Sequence, residues 1–217
     1  MAGVFAFDGV VPVVDPSSFL HPDAVVIGDV IIGPHCYIGP GAVIRGDFGR
    51  ISIGEGSNVQ ETCVLHSFPG RDLVIEPMGH VGHGAVLHGC HLGENVLVGM
   101  NSVVMDEAYI GRDCIVGALS FIKATSEFEP GQMIVGSPAR VMRPLTPQEI
   151  AWKTRGTLVY QETARRAATE LELVIPLEAP EVHRRRVRVP EYDPLALERL
   201  GASALSEGHP VKESNAE

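Results

Sequence analysis

The chain has 217 residues, 45% hydrophobic and 20% charged, which suits one folded domain with an appendage and excludes a disordered chain or two large domains. A net charge of −10 argues against a nucleic-acid surface, and no apolar run is long enough to span a bilayer. The opening MAGVFAFDGVVPVVDP lacks a basic leader and carries Asp8 inside its apolar stretch, so it reads as no signal peptide, with reduced thiols and a cytoplasmic location expected.

Taken in chain order, the first feature is a six-residue period. Aliphatic residues recur at Val26, Ile32, Ile38 and Ile44, at Ile53, Val59 and Leu65, and at Ile75, Val81 and Leu87. After one five-residue step the series runs through Leu92, Val98, Val104, Ile110, Val116 and Ile122. Periods of 3.6 or 2 do not account for this, which excludes amphipathic helices and plain hairpins. Small residues sit two places before the aliphatic one, among them all four cysteines, Cys36, Cys63, Cys90 and Cys114. Such hexapeptides predict a parallel β-helix over residues 10–145, three repeats per coil, with the aliphatic residue pointing inward. The cysteines then read as buried packing rather than as nucleophiles or ligands.

Next, Thr146-Pro147-Gln148-Glu149 is a capping box with Pro at the first helical position. A helix is predicted from about Pro147 towards Leu173, interrupted near Gly156, inside a unit spanning 146–175 that packs on the coil. Ile150, Leu158, Ala164, Ala168 and Leu171 are its expected apolar face. Residues 176–217 form a proline-rich extension ending in a polar tail expected to be mobile, and the run His183–Arg188 reads as a solvated or subunit-bridging segment.

Departures from the repeat carry the chemistry. The slot after the aliphatic residue is normally Gly, yet Arg45, Gln60, His66 and His88 occupy it. Counting repeats, with the interruptions near Phe48 and Phe68 taken as loops, stacks Arg45, His66 and His88 on one outward face of successive coils. Two imidazoles one rung apart can share a tetrahedral metal. His83 belongs to the neighbouring side with Gln60, on the order of 15 Å from His88 along the chain at about 3.3 Å per residue. To join the same cation it must come from another copy, and a ring of three copies gives three equivalent sites. Three His with an open position is a catalytic rather than a structural zinc pattern. His21, His35, His80, His91, His183 and His209 need no metal.

Arg45-Gly46-Asp47, Asn58-Val59-Gln60, His66 and His83-Gly84-Ala85-Val86-Leu87-His88 resemble the γ-class carbonic anhydrase family. GDFGRISIG, HSFPG, GMNSVVMD, IVGSPAR and RGTLVYQE resemble its phenylacetic acid degradation and carnitine operon branch more closely. The resemblance covers roughly residues 10–180. It implies a left-handed β-helix, a homotrimer, and Zn2+ (Fe2+ or Co2+ as alternatives) held by His66 and His88 of one chain and His83 of the next. It also implies an Arg45–Asp47 pair at the subunit interface, Asn58 and Gln60 orienting water, and Tyr160 as an active-site tyrosine. The strong anhydrases carry Glu after the Arg-Gly-Asp segment and an acidic loop after the first histidine. Here Phe48 follows Asp47, and the loop Ser67–Asp72 has no Glu.

Metal-lowered water acidity gives hydroxide at neutral pH. The missing acids predict slow hydration and the short loop an opening to a larger substrate; both favour the degradation-protein branch, and that resemblance implies hydrolysis of an aromatic acyl-CoA thioester in phenylacetate-type catabolism, with help from Gln60 or Tyr160. Arg140 and Arg143 lie where CoA phosphates or solvent could meet them. Weak CO2/bicarbonate interconversion is the alternative, followed by a metal-free scaffold subunit and a hexapeptide acyltransferase. Neither nucleic acid nor membrane is an expected partner.

Overall fold

A computed structural model describes residues 2–188, 190 and 192–198. Parallel pairing joins residues about one coil apart, so the inward aliphatic residues form columns. Val26, Ile44, Leu65, Leu87, Val104 and Ile122 stack on one face, and each is fully buried. A second face stacks Ile32, Ile53, Ile75, Leu92, Ile110 and Phe128. A third carries Leu20, Ile38, Val59, Val81, Val98, Val116 and Ile134. The result is a left-handed parallel β-helix with one long C-terminal helix. Burying an aliphatic column on each face is what holds it together, and truncating one such Leu or Ile to Ala costs about 2–5 kcal/mol.

The coil starts earlier than residue 10, because Gly3–Phe5 pairs in parallel with Val25–Ile27. The chain near Phe48 is a strand and not a loop. Val43–Ile53 runs on through the corner beside Val25–Ile32, with a register shift at Gly28/Val30 and an Arg50–Asp29 ion pair across it. The interruption near Phe68 is a turn. All four cysteines are buried, and desolvation pushes their thiols up, to about 11 for Cys36 and Cys63 and about 12 for Cys90.

The third face ends in an antiparallel hairpin, Gln132–Gly136 with Ala139–Pro144, and leads into helix α1 (Pro147–Glu170). Thr146 and Glu149 form the reciprocal cap. Arg143 places both arms of its guanidinium on the buried Glu149 at 2.8 and 2.7 Å, so this cation is already spent inside the protein. The helix is unbroken at Gly156 and ends at Glu170, short of residue 175.

The side that α1 turns to the coil is not the apolar one. Of the expected face Ala164 is buried, but Leu158 and Leu171 are 48% and 54% exposed, and Lys153 and Thr157 are buried in their place. The reason lies in the face beneath, whose outward column includes Asn58 and His80, with Asn95 close by. Polar helix residues pair with His80 and Asn95, where a leucine would leave them unpaired, while Asn58 is met by Gln60 of its own strand end. Lys153 Nζ donates to the Met78 carbonyl at 2.5 Å and to Asn95 Oδ1 at 2.7 Å, and Asn95 in turn donates to Asp113 and Thr154. After Leu171 the chain is extended and returns along α1. Tyr192 stacks on Trp152, whose indole N–H donates to the Asp193 carbonyl at 2.8 Å. A short helix α2 (Leu195–Glu198) follows, and the polar tail from residue 199 lies outside the described residues.

Burial lowers the Lys153 amine to about 7 against an ordinary value of 10.5, despite the nearby Asp113. Between those values the unfolded chain holds a proton that the folded chain has released, so raising pH through that window favours folding. Denaturant titrations at several pH values should show wild type gaining on Lys153→Met by about 1 kcal/mol per pH unit from pH 7 to 9. Parallel stability curves would refute a neutral buried amine.

Candidate metal centre

His66 and His88 end the strands Val64–His66 and Val86–His88, which pair in register, so the two imidazoles sit on adjacent rungs of the first face. His66 Nδ1 and His88 Nε2 point at each other, 3.3 Å apart. The far nitrogen of each ring faces a carboxylate. His66 Nε2 is 3.1 Å from Asp47 Oδ1, and His88 Nδ1 is 2.7 Å from Asp106 Oδ1. A carboxylate only accepts, so the ring nitrogen facing one places a proton there; His88 does this towards Asp106 and leaves its Nε2 bare. His66 Nε2 lies between two partners, Asp47 Oδ1 and Arg45 Nη2 at 3.0 Å: with its proton towards Asp47 its Nδ1 is bare, and with Arg45 donating to Nε2 the proton sits on Nδ1 and bridges to His88.

In the first of these tautomers two lone pairs face each other, and a cation between them relieves the repulsion. Tetrahedral bonds of about 2.0–2.1 Å place two ligand nitrogens roughly 3.3–3.4 Å apart, so the observed spacing suits a shared ion of that size. Imidazoles oriented by carboxylates are also the arrangement that metal-binding histidines use. Close by, Arg45 Nε and Ser67 Oγ are buried without a hydrogen-bond partner among the described residues.

His83 lies on the corner between the third and first faces. Its Nδ1 is held by Glu61 Oε2, and Tyr37 OH donates to the other oxygen of that carboxylate at 3.0 Å. The His83 side chain is 47% exposed, which leaves Nε2 available to a neighbour. Gly84 follows at φ +69°, a turn that Thr62 and Asn101 also make on the neighbouring coils, and a Cβ at Gly84 would meet Asn101 Oδ1 at 2.3 Å. Among the described residues no three His, Cys, Asp or Glu of a single chain form a metal cage. His66 and His88 converge within a chain and His83 does not join them.

The remaining sequence-derived residues divide in two. Arg45 and Asp47 sit beside His66. Asn58 and Gln60 are buried beneath α1, and Gln60 Nε2 donates to Asn58 Oδ1 at 2.9 Å. Tyr160 is half-buried on α1 with its ring against Tyr37 and His80, and burial raises its hydroxyl to about 12. It therefore lies on the His83 side of the molecule. Phe48 and Phe68 stand against His66 and His88, with ring centroids 5.1 and 5.0 Å away. The sequence reading missed Asp106 and Glu61. Asp106 lies 18 residues past His88, one coil on, and that spacing was available to find it.

Comparison with known proteins follows the same lines. The bacterial transferase hexapeptide (six repeats) family model matches residues 12–46 and 89–124. The chain is 50% identical over 184 residues to the carnitine operon protein CaiE of Salmonella agona, covering 85% of this chain and 93% of that one. It is 48% identical over 185 residues to CaiE of a Proteus species, covering 85% and 94%. Among solved structures it is similar to a putative acetyltransferase of Bacillus cereus (33% identity, TM-score 0.75, 76% of this chain and 95% of that one). It is also similar to a hexapeptide transferase family protein of Anaplasma phagocytophilum (36% identity, TM-score 0.73, 75% and 96%). No helix of the described residues is long and apolar enough to cross a membrane. With half of its residues shared over nearly the full length of these relatives, the chain belongs to the hexapeptide-repeat family of the carnitine operon protein CaiE, on its γ-class carbonic anhydrase-like branch.

Proposed function

We propose that the protein is a metal-dependent hydrolase of acyl-CoA thioesters, working as a trimer with its sites at subunit seams. Hexapeptide-repeat proteins commonly form trimers. The observation that carries the reading is the pair of imidazole nitrogens facing each other 3.3 Å apart, each ring braced by a carboxylate. His66 and His88 of one protomer and His83 of its neighbour would hold the ion, in line with the way Glu61 braces His83. Bound there, a divalent cation such as Zn2+ would supply Lewis acidity, lowering the pKa of water from 15.7 to about 7.

The chain's own groups have definable roles. Asp47, Asp106 and Glu61 fix which imidazole nitrogen keeps its proton. Phe48 and Phe68 form apolar walls beside the histidines, suited to an acyl chain and hostile to bulk water. In the overall change water adds to the thioester carbonyl, the C–S bond breaks, and the thiolate leaves with a proton as free CoA. The relatives' name points to carnitine rather than phenylacetate, so an acyl-CoA bearing a trimethylammonium group belongs beside aromatic thioesters in any substrate panel. Weak CO2 hydration is a lesser version of the same reading, since phenylalanines stand where proton-carrying acids would.

A second reading, acyl transfer from CoA to an amine or hydroxyl acceptor, is favoured by the likeness to a putative acetyltransferase and a hexapeptide transferase family protein. In that case one of the histidines acts as a base on the acceptor.

Thiol release from an acyl-CoA panel, followed with a chromogenic disulfide, separates the two. Hydrolysis should proceed without acceptor and disappear on chelation or with His88→Ala. Release that needs an acceptor and ignores chelator would favour transfer instead. Asp106→Asn should keep the fold and weaken Zn2+ affinity by about 10- to 100-fold in competition with a chromophoric chelator. Unchanged affinity would remove Asp106 from the site.

A further inference from the structure

His80 occupies the outward column of the third face, in register with Asn58 on one side and Leu97 on the other, beneath α1. Its two ring nitrogens face different partners. Nε2 is 2.7 Å from Gln60 Nε2, and Nδ1 is 3.3 Å from Thr157 Oγ1 on α1. The Tyr160 ring covers it edge-on at 5.3 Å. Neither the repeat nor the metal reading uses this residue.

The hydrogen-bond directions can be fixed from the backbone. The His83 amide N–H donates to Gln60 at 3.2 Å, so the Gln60 atom there must be its oxygen. The Gln60 amide nitrogen therefore points inward, with one hydrogen to Asn58 Oδ1 and the other to His80 Nε2. His80 must accept at Nε2 and carry its proton on Nδ1, where Thr157 Oγ1 receives it. The Thr157 hydroxyl in turn points at the Lys153 carbonyl at 3.4 Å. A neutral ring is the form this demands, and burial together with Lys153 and His83 lowers the His80 pKa to about 3. Flipping the Gln60 amide would set its NH2 against the His83 N–H, two donors facing, and would leave His80 Nε2 without a hydrogen.

We propose that His80 is a positioning residue that locks the Gln60 amide, so that Gln60 Oε1 holds the His83 peptide in the orientation the subunit-bridging site needs. The chain of bonds runs from α1 through Thr157, His80 and Gln60 to His83, while Tyr37 and Glu61 hold the His83 ring from its other side. Gln60 is on this view a brace with both amide hydrogens committed, and His80 touches no reacting atom. The proposal rests on the metal reading only for its consequence, since the hold on His83 exists in the single chain.

His80→Leu tests it, because Leu97 and Ile115 fill the same column on the next rungs and the shape is tolerated there. Amide hydrogen exchange in the metal-free full-length protein should show the His83 amide losing protection by about tenfold or more, with the Leu97 and Ile115 amides unchanged. His80→Gln, which returns a neutral acceptor, should restore it. Zn2+ affinity, read by chelator competition, should fall by about 10- to 100-fold in the Leu variant and recover in the Gln variant. Unchanged His83 protection in His80→Leu overturns the proposal, as does loss of protection at His83, Leu97 and Ile115 alike. Wild-type protein that takes up no Zn2+ would sink the metal reading, and the exchange result would still judge His80. Should His80→Leu fail to fold, Thr157→Val decides, because it frees the His80 tautomer; full His83 protection there also overturns the proposal.

Discussion

Register between successive coils is the constraint on which the rest of the molecule depends. Neighbouring strands lie about 4.8 Å apart, and parallel pairing repeats each outward position on the next rung. A side chain placed one coil on therefore becomes a contact with little freedom to miss. On the first face this puts Arg45, His66 and His88 in one outward column, and two acids lying just past that column, Asp47 and Asp106, close on the outer nitrogens of the two rings. With the imidazole protons turned to the acids, two lone pairs face each other in the middle, and under the proposed function a cation there would find both ligands already oriented.

The same register on the third face does a different job. There the outward column meets a helix rather than solvent, and His80 and the neighbouring Asn95 would be buried at a cost of about 1–3 kcal/mol for each unpaired group. Helix α1 answers His80 with Thr157 and Asn95 with Lys153 and Thr154, rather than with its leucines. Helix docking is thus a polar fit, and it connects the helix to the corner that carries His83. A purely apolar contact of equal area would bury as much surface but would fix no amide orientation.

The fold was legible because a six-residue period is a one-dimensional rule in which every inward position announces itself, from Val26 to Ile122. The adjacency of His66 and His88 followed from counting repeats, and so did the separation of His83. Asp106 and Glu61 escaped because they fill corner and turn slots that the repeat leaves permissive, where an acid looks like surface charge. The coil-facing side of α1 was misjudged because helical periodicity marks apolar residues, whereas here the opposing face is polar. The strand through Phe48 read as a loop because the six-residue count breaks there. Pairing with Val25–Ile32 carries the backbone through with a local shift that sequence spacing does not encode.

Phe48 and Phe68 bear on which chemistry the seam serves. Both rings lie against ligand-type histidines, and both are half or more exposed in the single chain, 50% and 58%. Exposed aromatic surface is unfavourable at about 25 cal/mol per Å2, a cost offset only when something apolar covers it. CO2 is too small to cover two rings, and fast hydration needs groups that carry protons, which phenylalanine cannot do. An acyl chain seated between the rings would bury them, exclude water from around the thioester, and strengthen the electrostatics of the braced imidazoles by lowering the local dielectric. Two aromatic rings beside the histidines can pack on an acyl chain and cannot carry a proton, and under the proposed function that is the physical argument for a thioester over CO2.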